Sequence, residues 1–301
     1  MRSASVERFT TRRSSEPTFL GTKSLCGSDR GDAVGTKLAV AGKGGVGKTT
    51  IVGSLARIWA QDGMRVLAVD ADPAAHLHAV LEVPKSEMPI PISSELDLIE
   101  ERTGARPGTT TGPFFRLNPK VDDIPAKYSR AGADGVRLLV LGTIKAAGSG
   151  CFCPENAILR SLLEHLVLDD RDAVVVDMEA GLEPFGRATC RGVDMLLVVV
   201  EPGSRSIETG ARLSDLGRQM GVRRVGIVAN RVRDERQREA VEDMLASHRL
   251  TLLETLPDFP SLATADLEGK SPFALPDAGL WVRTIRRLSS RISREIANDG
   301  E

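Results

Sequence analysis

Three things are scarce in this 301-residue chain: an excess of one charge, a long apolar run, and cysteine. Lys and Arg number 40 against 41 Asp and Glu, a net charge of −1. The molecule as a whole therefore has no electrostatic pull toward nucleic acid or an anionic membrane. No apolar stretch approaches the ~20 residues of a membrane-spanning helix. Four cysteines, Cys26, Cys151, Cys153 and Cys190, are too few and too unevenly placed for a disulfide framework. The histidines His76, His78, His165 and His248 show no ligand spacing with them. What remains is an ordinary globular composition, 41% hydrophobic and 27% charged, with room for one large α/β domain or two small ones.

What the chain does have is Gly42-Lys43-Gly44-Gly45-Val46-Gly47-Lys48-Thr49-Thr50, a phosphate-cradling loop. It lies between a buried strand, Thr36 to Ala41, and a helix, Lys48 to Trp59, the setting that such a loop requires. The glycines let the backbone turn tightly and aim N–H groups at phosphate oxygens, at the positive end of a helix dipole. Lys48 is expected on the β/γ-phosphates and Thr49 on Mg²⁺. With Lys48 so placed, Lys43 at the outer lip points away from its own nucleotide, toward one held by a second subunit. The form K-G-G-x-G-K-S/T resembles the deviant Walker A loop of the dimerising ATPases: the Min and Par partition ATPases, nitrogenase iron protein, tail-anchor targeting factors and metallocentre maturation ATPases. That resemblance implies a lysine acting in trans across a nucleotide-sandwich homodimer. A thiol-bearing ATPase of this kind belongs in a reducing cytoplasm.

Beyond the loop, short β-branched runs alternate with helical stretches. Strands are predicted at 65–70, 136–141, 173–177, 195–200, 225–229 and, more weakly, 252–256; helices are predicted near 155–168, 205–220, 233–248 and 277–298. The pattern is that of a single doubly wound, mostly parallel α/β sheet over residues 36–301, the P-loop NTPase architecture. Residues 1–35, rich in Ser, Arg, Thr and Gly with no apolar period, read as a disordered extension. Between Glu82 and Asp134 seven prolines interrupt the alternation. A helical piece near 94–103, partial order elsewhere and a partner-docking surface are expected there. In the last helix, Trp281, Val282, Ile285, Leu288, Ile292 and Ile296 form an apolar stripe between arginines, expected to close on the sheet rather than on membrane.

Three strand ends complete the nucleotide residues. Asp70-Ala71-Asp72-Pro73 ends the second strand, and Asp177 closes the strand Ala173 to Asp177 as a Walker B acid, expected to hold a Mg²⁺-bound water. Asp70 is expected to organise Mg²⁺ and its waters. By the deviant Walker resemblance, Asp72 lies in switch I and orients the attacking water. Asn230-Arg231 follows the strand Val225 to Ala229, where this class reads its base. Guanine readers carry N-K-x-D there, but position 233 is Arg, so ATP is the expected nucleotide.

Gly150-Cys151-Phe152-Cys153-Pro154-Glu155-Asn156 places two thiols on one side of an extended segment before a helix. Such thiolates have lowered pKa values and favour soft metals. Two ligands are half of a tetrahedral site, and a two-fold dimer supplies the other half. Phe115 to Pro125, Gly142-Thr143-Ile144-Lys145, the thiol segment, Asp177-Met178-Glu179-Ala180-Gly181 and Val200-Glu201-Pro202-Gly203 together resemble the CooC-type nickel-insertion ATPases. The resemblance runs from about Leu38 to the last helix. It implies Ni²⁺ or Zn²⁺ shared between Cys151 and Cys153 of two protomers, and a client apo-metalloenzyme, carbon monoxide dehydrogenase. One departure follows Asp72-Pro73: Ala74-Ala75-His76 stands where an asparagine-bearing switch is expected. Two other readings stay open. One is a partition or positioning switch without metal chemistry. The other is an iron–sulfur reductase component using Cys190, which follows the Walker B strand as a cluster cysteine does in nitrogenase iron protein.

Overall fold

Successive residues of a strand face opposite sides of a sheet, and here both sides are apolar. In β1 (Thr36–Gly42), Leu38 and Val40 enter one core, while Ala39 and Ala41 enter the other. The computed structural model describes residues 35–72, 74–106, 116, 118–142, 154–165, 168–179 and 192–298. The remaining strands are β2 (Arg65–Asp70), β3 (Arg130–Ala131), β4 (Arg137–Val140), β5 (Asp172–Asp177), β6 (Met195–Val200), β7 (Arg224–Val232) and β8 (Leu252–Pro257). They form one sheet in the order β3-β4-β2-β5-β1-β6-β7-β8, parallel throughout except for β3 against β4. The helices are α1 (Lys48–Gln61), α2 (Leu77–Val80), α3 (Leu96–Thr103), α4 (Ile124–Tyr128), α5 (Pro154–His165), α6 (Ser204–Gln219), α7 (Glu235–Ser247), α8 (Pro260–Leu267) and α9 (Ala278–Ala297).

The doubly wound, mostly parallel sheet is as expected. α1, α2 and α9 cover one face; α3, α5, α6 and α7 contribute to the core on the other. The last helix lays its stripe inward: Trp281, Ile285, Leu288 and Ile292 are fully buried, and Val282 and Ile296 pack beside them. The Trp281 indole N–H donates to Ser54 Oγ on α1 at 2.9 Å, and the Trp59 indole on α1 donates to Ser289 Oγ on α9 at 2.9 Å. Phe259 meets Trp281 edge-on, ring centres 5.4 Å apart. Arg287 and Arg291 converge on the buried Glu254 of the edge strand β8, and Arg291 also donates to the Leu253 carbonyl. Among the described residues no helix is long and apolar enough to cross a membrane.

Three expectations need correction. The strand predicted at 136–141 is shorter, Arg137–Val140, and gains a two-residue antiparallel neighbour, β3, too brief to show any period. β7 does not end at Ala229; a register shift against β8 between Ala229 and Val232 carries it through to Val232. The described part of the proline-rich stretch contributes more to the core than its few apolar runs suggest. Ile92, Leu98, Ile99, Val121 and Ile124 pack with Ile158 and Leu162 of α5. The helix expected near 94–103 is α3, with a 3-10 turn, Ile92–Ser94, ahead of it.

Candidate nucleotide site

The phosphate loop joins β1 to α1, and two of its glycines are dictated by contact. A Cβ on Gly42 (φ +154°) would stand 2.4 Å from the Val199 carbonyl, so β1 can turn out of the sheet only without a side chain. Gly47 caps α1 in a left-handed conformation (φ +93°), and a Cβ there would meet Asn230 Nδ2 at 2.6 Å. Gly44 and Gly45 face open space. No acidic residue stands in the first turn of α1, which leaves the positive end of the helix to an anion. Val46 is buried. Lys48, 6% exposed, folds back so that Nζ donates to the Lys43 carbonyl at 3.3 Å. Thr49 and Thr50 are half-buried on the first turn, and the Lys43 side chain is exposed at the lip.

Two acids meet at the strand ends beside this loop. Asp70 and Asp177 are register partners on β2 and β5, and both are buried. Burial pushes Asp177 up to about 7. Thr49 and Lys48 nearby offset part of that rise, and the charges of Asp70 and Asp72 add to it. Neither Asp177 oxygen has a partner of good hydrogen-bond geometry. An orphaned buried carboxylate beside a threonine hydroxyl is a hard-oxygen donor set suited to Mg²⁺, which keeps several waters and takes phosphate oxygens besides. Among the described residues no group of three or more His, Cys, Asp or Glu side chains could hold a metal alone.

Asp70 holds backbone on the segment that follows β2. Its carboxylate accepts the backbone N–H of Asp72 at 3.2 Å and of Leu77 at 3.0 Å, so it fixes the backbone at both of these points. Burial raises Asp70 to about 6 despite those two bonds. Asp72 is half-buried and accepts the N–H of Ala74 at 2.8 Å. Ala75 has left-handed backbone, φ +48°, a conformation that asparagine tolerates better than alanine.

At the far side of the loop, Asn230 and Arg231 occupy the bulged part of β7. A bulge re-aims side chains, and Asn230, 5% exposed, turns its amide to the Val46 carbonyl at 2.8 Å. Arg231 has left-handed backbone, φ +59°, and pairs with Glu201 at the end of β6. Asn230 thus braces the phosphate loop, a link between distant residues that motif spacing does not reveal. Glu201 was missed as the partner of Arg231 for the same reason. Cys151, Cys153 and Cys190 lie outside the described residues.

Residues 37–273 match the CobQ/CobB/MinD/ParA nucleotide-binding domain family. The carbon monoxide dehydrogenase accessory protein CooC of Rhodospirillum rubrum is 44% identical over 244 residues, 80% of this chain and 91% of that protein. An uncharacterized ATP-binding protein of Methanocaldococcus jannaschii is 44% identical over 209 residues, 69% of this chain and 79% of its own. Among solved structures, the cell division protein MinD of Aquifex aeolicus superposes with a TM-score of 0.61 at 22% identity, covering 86% of this chain and 97% of that one, a likeness of fold.

Proposed function

This chain belongs to the CobQ/CobB/MinD/ParA nucleotide-binding family as a CooC-type deviant Walker A ATPase, and from that premise we propose that it is a nickel-insertion metallochaperone. In this reading it closes as a homodimer on Mg·ATP and carries Ni²⁺ or Zn²⁺ between Cys151 and Cys153 of two protomers. The client is an apo-metalloenzyme of the carbon monoxide dehydrogenase kind. The observation that carries the reading is 44% identity to the carbon monoxide dehydrogenase accessory protein over nine-tenths of that protein's length, together with the paired thiols.

The residues divide the work. Backbone N–H groups of Gly44 to Thr49 cradle the phosphates, and Lys48 leaves the Lys43 carbonyl to reach them. When bound, Mg²⁺ offsets phosphate charge; Thr49 and Asp177 are the residues to hold it and its water. Asp72 orients the attacking water, and Lys43 of the opposite protomer adds positive charge at the phosphates. Asn230 and Arg231 flank the base. Because Lys43 gains a phosphate only in the closed dimer, ATP favours closure and hydrolysis releases it. Opening separates the two thiol pairs, which frees the metal for transfer.

Metal content and oligomeric state, measured together with Mg·ATP, ADP or no nucleotide, test the reading. The expected result is about one nickel or zinc per dimer, lost in the Cys151→Ser/Cys153→Ser variant. ATP-driven dimers without thiol-dependent metal would leave a positioning switch in its place. A brown protein holding iron through Cys190 would instead make it a reductase component.

A further inference from the structure

The segment that carries Asp72 is tied down along its length, and its last tie is a buried arginine. Asp70 holds the front through the N–H groups of Asp72 and Leu77. In the middle, α2 lies so close to α1 that a Cβ on Gly53 would stand 2.5 Å from Val80 Cγ1 and 3.2 Å from Leu77 Cδ1. One turn further along α1, the Arg57 side chain is 8% exposed. Its Nε donates to Asp134 at 2.6 Å, and one terminal nitrogen donates to Glu82 at 2.6 Å, to Ser271 Oγ at 2.8 Å and to the Val80 carbonyl at 3.4 Å. The guanidinium lies 4.0 Å from the centre of the Phe273 ring. The Ser271 hydroxyl donates to the same Val80 carbonyl at 3.2 Å.

Both acids that meet Arg57 have left-handed backbone, φ +55° at Glu82 and +56° at Asp134. Such a conformation costs a non-glycine residue about 1 kcal/mol and persists where the surroundings impose it. A buried charge is also a poor way to gain stability alone, since a well-packed apolar side chain of similar volume does as well. Ile51, Leu55 and Ile58 on the same helix show that apolar side chains serve here. What the arginine supplies is direction: a rigid fork whose Nε is given to Asp134 and one of whose terminal nitrogens is shared among Glu82, Ser271 and the Val80 carbonyl.

We propose that Arg57 is a positioning residue for hydrolysis, fixing the rear of residues 71–82 to α1 so that Asp72 keeps its place relative to Lys48 and Thr49. Those two residues open the same helix, so α1 acts as a common ruler for the phosphates and the switch. The proposal rests on the assignment of Asp72 as the water-orienting residue.

Steady-state hydrolysis, Mg·ADP affinity and thermal melting of Arg57→Met, Arg57→Lys and Gly53→Ala test it. A displaced Asp72 is expected to lower kcat about tenfold in Arg57→Met and Gly53→Ala, with affinity changed less than about twofold. Arg57→Lys is expected to recover part of the loss. Because both sites act through α2, the double variant should lose less than the product of the single effects. A lowered melting temperature with wild-type kcat, or equal losses in kcat and affinity, would overturn the proposal. Should Arg57→Met not fold, Gly53→Ala and Ser271→Ala carry the same test. Asp72→Asn separates two failures. Wild-type turnover in that variant overturns the Asp72 assignment and the proposal with it, whereas wild-type turnover confined to the Arg57 and Gly53 variants overturns the proposal alone.

Discussion

The two faces of the sheet are held by different means. On the α1/α2/α9 face, directional bonds join one element to another: Trp281 to Ser54, Trp59 to Ser289, and Arg57 to Glu82, Asp134 and Ser271. On the other face, among the described residues, helix hydroxyls mostly turn back on their own chain. Ser214 donates to the Gly210 carbonyl, Thr103 to the Ile99 carbonyl, and the buried Ser161 hydroxyl has no partner. There α6 rests on the sheet through apolar contact, so close that a Cβ on Gly210 would meet Val200 at 2.5 Å. Apolar packing is strong but non-directional, whereas a hydrogen bond selects one arrangement. The helix-to-helix bonds made by buried indoles and a buried guanidinium lie on the face that carries the phosphate-loop helix; the other face has its own ties at its margins, Lys37 to the Leu163 carbonyl of α5 and Arg102 of α3 to Asp123.

The largest effect that would test this contrast lies on the apolar face. Leu245 of α7 is fully buried, and Leu245→Ala is expected to cost about 2–5 kcal/mol in chemical denaturation. Turnover per folded molecule should stay at the wild-type level, and a drop would show that the two faces are not separable in function.

A smaller effect is expected at the strand ends between the faces, where it has a pH signature. Burial holds Asp177 at about 7 and Asp70 at about 6. A carboxyl whose folded pKa is raised binds its proton more tightly in the native state. Its stabilisation is present below the unfolded pKa and lost as pH rises through the folded value, here between about 4 and 7. Asp177→Asn removes that loss. Nucleotide-free protein at pH 8 should gain about 1–3 kcal/mol and the pH slope should flatten, while Mg²⁺-dependent hydrolysis disappears. No gain at pH 8 would mean that the acid is not strained in the empty site.

The smallest concerns a single bond of the polar face. Ser289→Ala leaves the buried Trp59 indole N–H unpaired and is expected to cost about 1 kcal/mol by thermal melt. A cost near zero would argue that water replaces the hydroxyl and that the bond specifies nothing.

Much of this molecule was legible in the chain because its signals are local. The loop from Gly42 to Thr50, the acids at strand ends and the periodic stripe of α9 each depend on residues close in sequence. What stayed hidden depends on partners far apart. Arg57 lies within a run otherwise apolar, Leu55 to Trp59, and its acceptors come from positions 80, 82, 134 and 271. The bulge that turns Asn230 onto Val46 is a matter of register between β7 and β8, which strand propensity does not encode. The inward packing of Ile92, Leu98 and Ile124 was masked by prolines, which mark where regular structure breaks but not whether the chain is buried.

The chain has two tryptophans, Trp59 and Trp281, and both are bonded across the contact between α1 and α9. Its ultraviolet emission is therefore the signal of that one seam. Any movement of α1 against the last helix as the phosphate loop fills would alter the hydrogen bond of each indole, giving a label-free optical readout of nucleotide occupancy.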